Sequence, residues 1–187
     1  MKRRAVALLL GLIFCLAVLP AAAYAQTPGS VCRREAKYDP AANLTTVECA
    51  LLETFTPPIR LMLTANASYQ GKQPNEKAKF YFNLSAFRGD SNRRTPPLFK
   101  EAATLSLSLE TTRLEIPVTG VHTEFFEMNR LFAEKAQASL DRETLRKLLE
   151  AKTVAGKWGK TEFKLSDASL LALKRFISDQ IFSVGER

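Results

Sequence analysis

The 187-residue chain predicts an α+β fold: an antiparallel, β-rich, sandwich-like domain of about six to eight strands, with two C-terminal helices flanking a β-hairpin. Three observations predict it. Apolar and polar residues alternate through most of residues 59–118, the period of strands that bury one face. Two cysteines bracket an Asp-Pro turn near the start of the expected mature chain. In the last third the leucines move to spacings of three and four, the helical period.

The first element is a leader. Lys2, Arg3 and Arg4 make a basic start, Ala5 to Leu19 is uninterruptedly apolar, and Pro20 breaks the run. Ala23-Tyr24-Ala25 then places small residues where a signal peptidase reads them, so cleavage is expected between Ala25 and Gln26. A membrane anchor would need about 20 apolar residues, and this run has about 15. Residues 1–25 therefore read as a Sec-type signal peptide and 26–187 as a single globular domain, secreted or periplasmic. Removing the leader takes three positive charges and no negative ones, so the net charge of +8 falls to +5. The remaining chain of about 160 residues is long enough for one well-filled core.

Cys15 leaves with the leader, so Cys32 and Cys49 remain, an even count in an oxidising compartment. Asp39-Pro40-Ala41-Ala42 has the residues of a type I turn. Folding the chain about that turn sets Tyr38 against Asn43, Ala36 against Thr45, Arg34 against Val47 and Cys32 against Cys49. Opposed residues of this kind lie about 4.5 Å apart at Cα, within disulfide range. A redox pair would sit in a C-x-x-C, and a metal site would need more ligands, so the expected bond is a structural staple.

Pro57-Pro58 end the hairpin. Ile59, Leu61, Leu63, Ala65 and Ala67 then mark one face of a strand, and Phe80, Phe82, Leu84 and Ala86 mark the next, across a polar turn at 70–77. Residues 89–97 read as a loop. Leu105, Leu107 and Leu109 alternate cleanly and return through Leu114, Ile116 and Val118. Pro117 has no N–H to donate, which predicts a sheet edge. Residues 121–138 fit strand or short helix, with strand favoured over 131–138.

Two helix starts share one pattern. Asp141 and Ser166 each follow a leucine and precede Leu145 and Leu170 by four, a cap with a hydrophobic staple. Leu145, Leu148 and Leu149 belong to the first helix, and Leu170, Leu173, Ile177 and Ile181 to the second. Between them TVAGKWGKTEFKL predicts a hairpin that turns at Trp158-Gly159 and sets Val154 against Phe163.

KYDPAANLTTVEC, the central alternating hairpin and LDRETLRKLLEAKTVAGKWGKTEFKLSDASLLALKRF together resemble a group of small secreted bacterial proteins. The last block is also distantly similar to the C-terminal part of invasion-associated locus B type periplasmic proteins. The resemblance implies an exported bacterial domain. It transfers no catalytic residue, because its pattern is mostly Leu, Gly and Phe at packing positions.

Candidate chemistry is sparse. His122 is the only histidine. Gly89-Asp90-Ser91 resembles the nucleophile block of the GDSL esterases and lipases, which would pair Ser91 with His122, but the Asp-x-x-His block of that group is absent. No phosphate-binding, dinucleotide-binding or zinc-protease motif is present, so neither cofactor nor metal is expected. Arg88, Arg93 and Arg94, with Arg33, Arg34 and Lys100 near Phe87 and Phe99, suggest a binder of anionic envelope surfaces. Nucleic acid is not an expected partner outside the cytoplasm. The leading expectation is an exported, non-catalytic envelope domain that binds or scaffolds. A secreted hydrolase and an anionic-surface binder are the alternatives.

Overall fold

A computed structural model describes residues 32, 34–56, 59–89, 99, 103–110, 112–126 and 131–183. Among them, nine strands form one antiparallel sheet curled into a half-barrel, in the order β1-β2-β3-β4-β7-β6-β5-β8-β9. They are β1 (Arg34–Asp39), β2 (Leu44–Thr56), β3 (Ile59–Gln70), β4 (Lys79–Gly89), β5 (Thr104–Leu109), β6 (Thr112–Phe126), β7 (Leu131–Leu140), β8 (Ala155–Trp158) and β9 (Thr161–Lys164). Helix α1 (Arg142–Glu150) precedes the β8–β9 hairpin. Helix α2 (Asp167–Ile177) follows it and ends in a π-helical turn, Ser178–Phe182.

The antiparallel α+β class and the helix–hairpin–helix ending are as expected, but the sandwich is not. One continuous sheet replaces two stacked ones, and the helices supply its covering layer. Phe176 of α2 packs edge-on against Phe80 of β4 at 5.9 Å. Small inward residues on neighbouring strands, Ala65, Ala67, Ala86, Ala136 and Ala138, leave room for Phe80, Phe82 and the helix. Each large apolar side chain buried in this way contributes about 1.5–3 kcal/mol.

Two β-bulges shape the sheet, one between Ala50 and Leu52 and one between Val118 and Gly120. A bulge adds a residue to one strand and bends it. Leu51, the extra residue of β2, is buried, and its carbonyl accepts the Ser169 hydroxyl of α2 at 2.6 Å. The first bulge thus ties the helix to the sheet.

Both helix caps form. Asp141 Oδ1 accepts from the Thr144 N–H at 2.7 Å, and Ser166 Oγ accepts from the Ser169 N–H at 3.2 Å. The stapling leucines, Leu140 with Leu145 and Leu165 with Leu170, are all buried. Residues 131–138 are strand, as favoured above, within β7.

Cys32 and Cys49 are joined, with Cα atoms 4.8 Å apart and a sequence separation of 17. Closing a loop of that length contributes on the order of 3 kcal/mol in the chain-entropy model. The register differs from the expected one. Tyr38 faces Thr45, Ala36 faces Val47 and Arg34 faces Cys49, a slip of two residues. Asp39 Oδ1 accepts from the N–H groups of Ala41 and Ala42, and Asn43 takes a positive φ of 48°, so the loop runs through Asn43. The disulfide therefore links positions that are not directly opposed.

The second hairpin slips in the same way. Gly156, not Val154, faces Phe163, because the turn is Gly159-Lys160 with Gly159 at φ 59°. A side chain at position 156 would place its Cβ 2.2 Å from the Phe163 ring, so only glycine fits there. A slip of two keeps each side chain on its own face, which is why the buried pattern survives in both hairpins.

Pro117 is not on an outer strand of the sheet. β6 lies between β7 and β5 in the strand order, and Pro117 sits where it changes partner, from β5 (through Pro117) to β7 (from Val118). A missing donor is tolerated at such a handover. Among the described residues no helix is long and apolar enough to cross a membrane.

Candidate binding surface

The residues singled out by sequence scatter. Ala25, Gln26, Ser91, Arg93, Arg94, Arg33 and Lys100 lie outside the described residues. His122 is exposed on the outer face of β6, opposite Lys135 of β7. Arg88 points inward. It is 5% exposed, its Nη2 lies 2.9 Å from Glu134 Oε1, and its guanidinium carbon lies 5.5 Å from the centre of the Phe132 ring. The guanidinium is thus enclosed on the inner face beside the Glu134 carboxylate. Phe99 is buried, its N–H donating to Glu134 Oε2 at 3.4 Å and its ring 6.4 Å from that of Trp158. Phe87 carries the guanidinium of Arg60, 5.9 Å from its centre.

What the strands do bring together is a polar outer face. Strand register sets its rows. Glu48, Asn66, Tyr81 and Ser139 form one row across β2, β3, β4 and β7. Thr64, Asn83 and Gln137 form the next, and Ser85, Lys135 and His122 a third, extending onto β6. Adjacent strands in a sheet lie about 4.8 Å apart, so the rows are dense with amides and hydroxyls. The described helix contacts, Phe176 on Phe80 and Ser169 on Leu51, belong to the opposite, inner face.

These groups orient one another. Asn66 Nδ2 donates to Thr64 Oγ1 at 2.8 Å, and Gln137 Nε2 donates to Asn83 Oδ1 at 3.2 Å. Thr119 Oγ1 donates to the Gln137 carbonyl at 3.2 Å, and Lys135 Nζ meets Glu124 Oε2 at 2.7 Å. Thr64, Asn66 and Ser85 are buried among their neighbours, while Tyr81, Asn83, Lys135 and Gln137 are half-buried. The result is a layer of fixed donors and acceptors with its outer members reaching solvent.

The electrostatics at one edge of the face are coupled. Glu48 keeps an exposed side, yet crowding by its neighbours raises its pKa above the ordinary carboxylate range. The charge of Glu35, its cross-strand partner, adds to the rise, and Lys135 opposes it. The Tyr81 phenol is also pushed up, first by burial and further by the Glu48 charge, against a hydrogen bond with Ser68. Tyr81 thus stays a neutral hydroxyl, and Glu48 holds a proton more readily than an isolated glutamate.

Among the described residues no group of three or more His, Cys, Asp or Glu side chains could hold a metal ion. The outer face carries no catalytic motif, yet its signal is present in the sequence. The alternation that marks Phe80, Phe82 and Leu84 as inward also marks Tyr81, Asn83 and Ser85 as outward. Glu134 had a signal too, since it shares the inward parity of Phe132, Ala136 and Ala138. Compared with protein-family models, with curated proteins and with solved structures, the chain matches none.

Proposed function

We propose that the protein is an exported, non-catalytic domain of the bacterial envelope that binds a polyhydroxylated polymer, a glycan, through the outer face of β2, β3, β4 and β7. One observation carries the reading: registered rows of amide and hydroxyl side chains on neighbouring strands, Asn66 beside Tyr81 and Asn83 beside Gln137, with Asn66 bonded to Thr64 of its own strand and Gln137 bonded to Asn83. Tyr81, Asn83 and Gln137, the half-buried members of these rows, can both donate to and accept from sugar hydroxyls, directly or through water. Because they are already oriented, little side-chain freedom is lost on binding. The Cys32–Cys49 bond suits an oxidising compartment, which supports export.

The test is retention of the mature protein on insoluble peptidoglycan, cellulose and chitin. At least one should retain it, and Asn83→Ala with Gln137→Ala should weaken that retention about tenfold, or roughly 1.4 kcal/mol. Retention should persist as salt is raised. Absence of retention on all three polymers, or retention indifferent to both substitutions, overturns the reading. Retention that collapses with salt and with Arg93→Glu and Arg94→Glu would favour the anionic-surface alternative instead.

A further inference from the structure

The two ends of the sheet order are β1 and β9. β9 has four residues, a short edge that invites little pairing, whereas β1 has six, all exposed. Among the described residues the strand beside β1 is β2 alone. The edge is held at both ends. The Cys32–Cys49 bond lies just before it, Arg34 Nη1 meets Asp179 Oδ2 at 2.7 Å, and the Tyr38 hydroxyl donates to Asn43 Oδ1 at 3.0 Å. An edge ordered in advance loses little freedom when another strand pairs with it. It also carries a like-charge contact. Glu35 is directly opposite Glu48, and like charges so placed destabilise a sheet. After burial, the Glu35 charge is the next cause of the raised Glu48 pKa.

We infer that β1 is a dimerisation edge, pairing antiparallel with β1 of a second copy about a two-fold axis through Ala36 and perpendicular to the sheet. The strand is self-complementary in that register. Glu35 faces Lys37 of the second copy, Arg34 faces Tyr38, Ala36 faces its own counterpart, and the two remaining pairs repeat by symmetry. Opposite charges on neighbouring strands stabilise the pairing, and Glu35 gains a cation on the side away from Glu48. On the other face of the strand, Tyr38 is a ring that takes cations, since Lys72 Nζ already lies 5.3 Å from its centre. Moving the axis by one residue sets Glu35 against Glu35, or Lys37 against Lys37 with Glu35 against Asp39. Charges on the edge therefore repel a mismatched strand and admit the matched one. A two-fold pairing of this type uses one patch twice and stops at two subunits. One short strand is a small contact, so the dimer is concentration-dependent rather than obligate.

The experiment uses the full exported chain with its native disulfide intact. Sedimentation over a concentration series should show a monomer–dimer equilibrium. Lys37→Glu and Glu35→Lys should each weaken self-association about tenfold or more, by setting like charges opposite one another. Mixing the two variants should restore a dimer, because position 35 of each then faces the opposite charge at position 37 of the other. Ala36→Cys should form a covalent dimer on mild oxidation, because opposed Cα atoms about 4.5–5.5 Å apart fall in disulfide range, whereas Ala42→Cys should not. Circular dichroism confirms that each variant is folded. A monomer at every concentration, single variants that associate as the parent does, no association on mixing, or equal cross-linking at positions 36 and 42 would each overturn the inference.

Discussion

Glu134 and Lys135 are consecutive residues of β7 and each holds a partner of opposite charge, at 2.9 Å and 2.7 Å. They face opposite sides of one sheet. The Arg88–Glu134 side chains are 5% and 1% exposed, while Lys135 and Glu124 are 41% and 47% exposed. By distance the pairs are equivalent. By surroundings they are not, since water screens the outer pair and solvates either partner left alone, whereas a lone charge on the inner face has lost its solvent. The comparison teaches that a pair's separation says little about its energetic weight until its burial is known.

The largest effect should come from breaking the inner pair. Glu134→Gln leaves Arg88 charged and enclosed, and urea denaturation should show a loss of about 3–5 kcal/mol. Replacing both partners, Arg88→Met with Glu134→Leu, should recover most of that loss, because it removes both buried charges together. If the double variant is as unstable as the single one, packing rather than charge dominates the inner site. On the outer face Glu124→Gln should change monomer stability by under about 1 kcal/mol, and the change should shrink further in high salt.

The smallest effect sharpens the picture of the outer face. Glu35→Gln removes the like charge opposite Glu48, so the Glu48 pKa, followed by carboxyl NMR titration, should move down toward the ordinary range. The sign for stability follows. Folded Glu48 binds its proton more tightly than unfolded Glu48, so this group favours the fold in acid, and that contribution is lost as pH rises through its folded pKa. Glu35→Gln should flatten this dependence. A Glu48 pKa that does not move would leave crowding as the whole cause.

Much of this architecture was legible in the chain. Alternation located the buried faces of β3, β4 and β5, and the Asp141 and Ser166 caps located both helix starts, because each signal acts within a few residues. The disulfide was legible for the same reason. Both hairpins were nonetheless read two residues out of register. Asn43 and Gly159 take positive φ and each turn lies one position further along the chain, and choosing among neighbouring turns depends on small backbone preferences that strand pairing then settles. Arg88 was read as part of a solvated basic cluster from its neighbours in sequence, although its parity with Ala86 and Leu84 points inward.

By itself, then, the sequence determined which residues of each element face the core, where the helices begin and which cysteines are joined. These follow from period, capping and loop length, all local properties. Only the tertiary structure decided that the strands close into one curled sheet instead of two stacked ones, that Pro117 marks an exchange of partners, and that Glu134 is the counter-charge of Arg88. Those outcomes depend on which strand edges meet and which distant side chains share the space between sheet and helix, and no pattern confined to one segment carries that information.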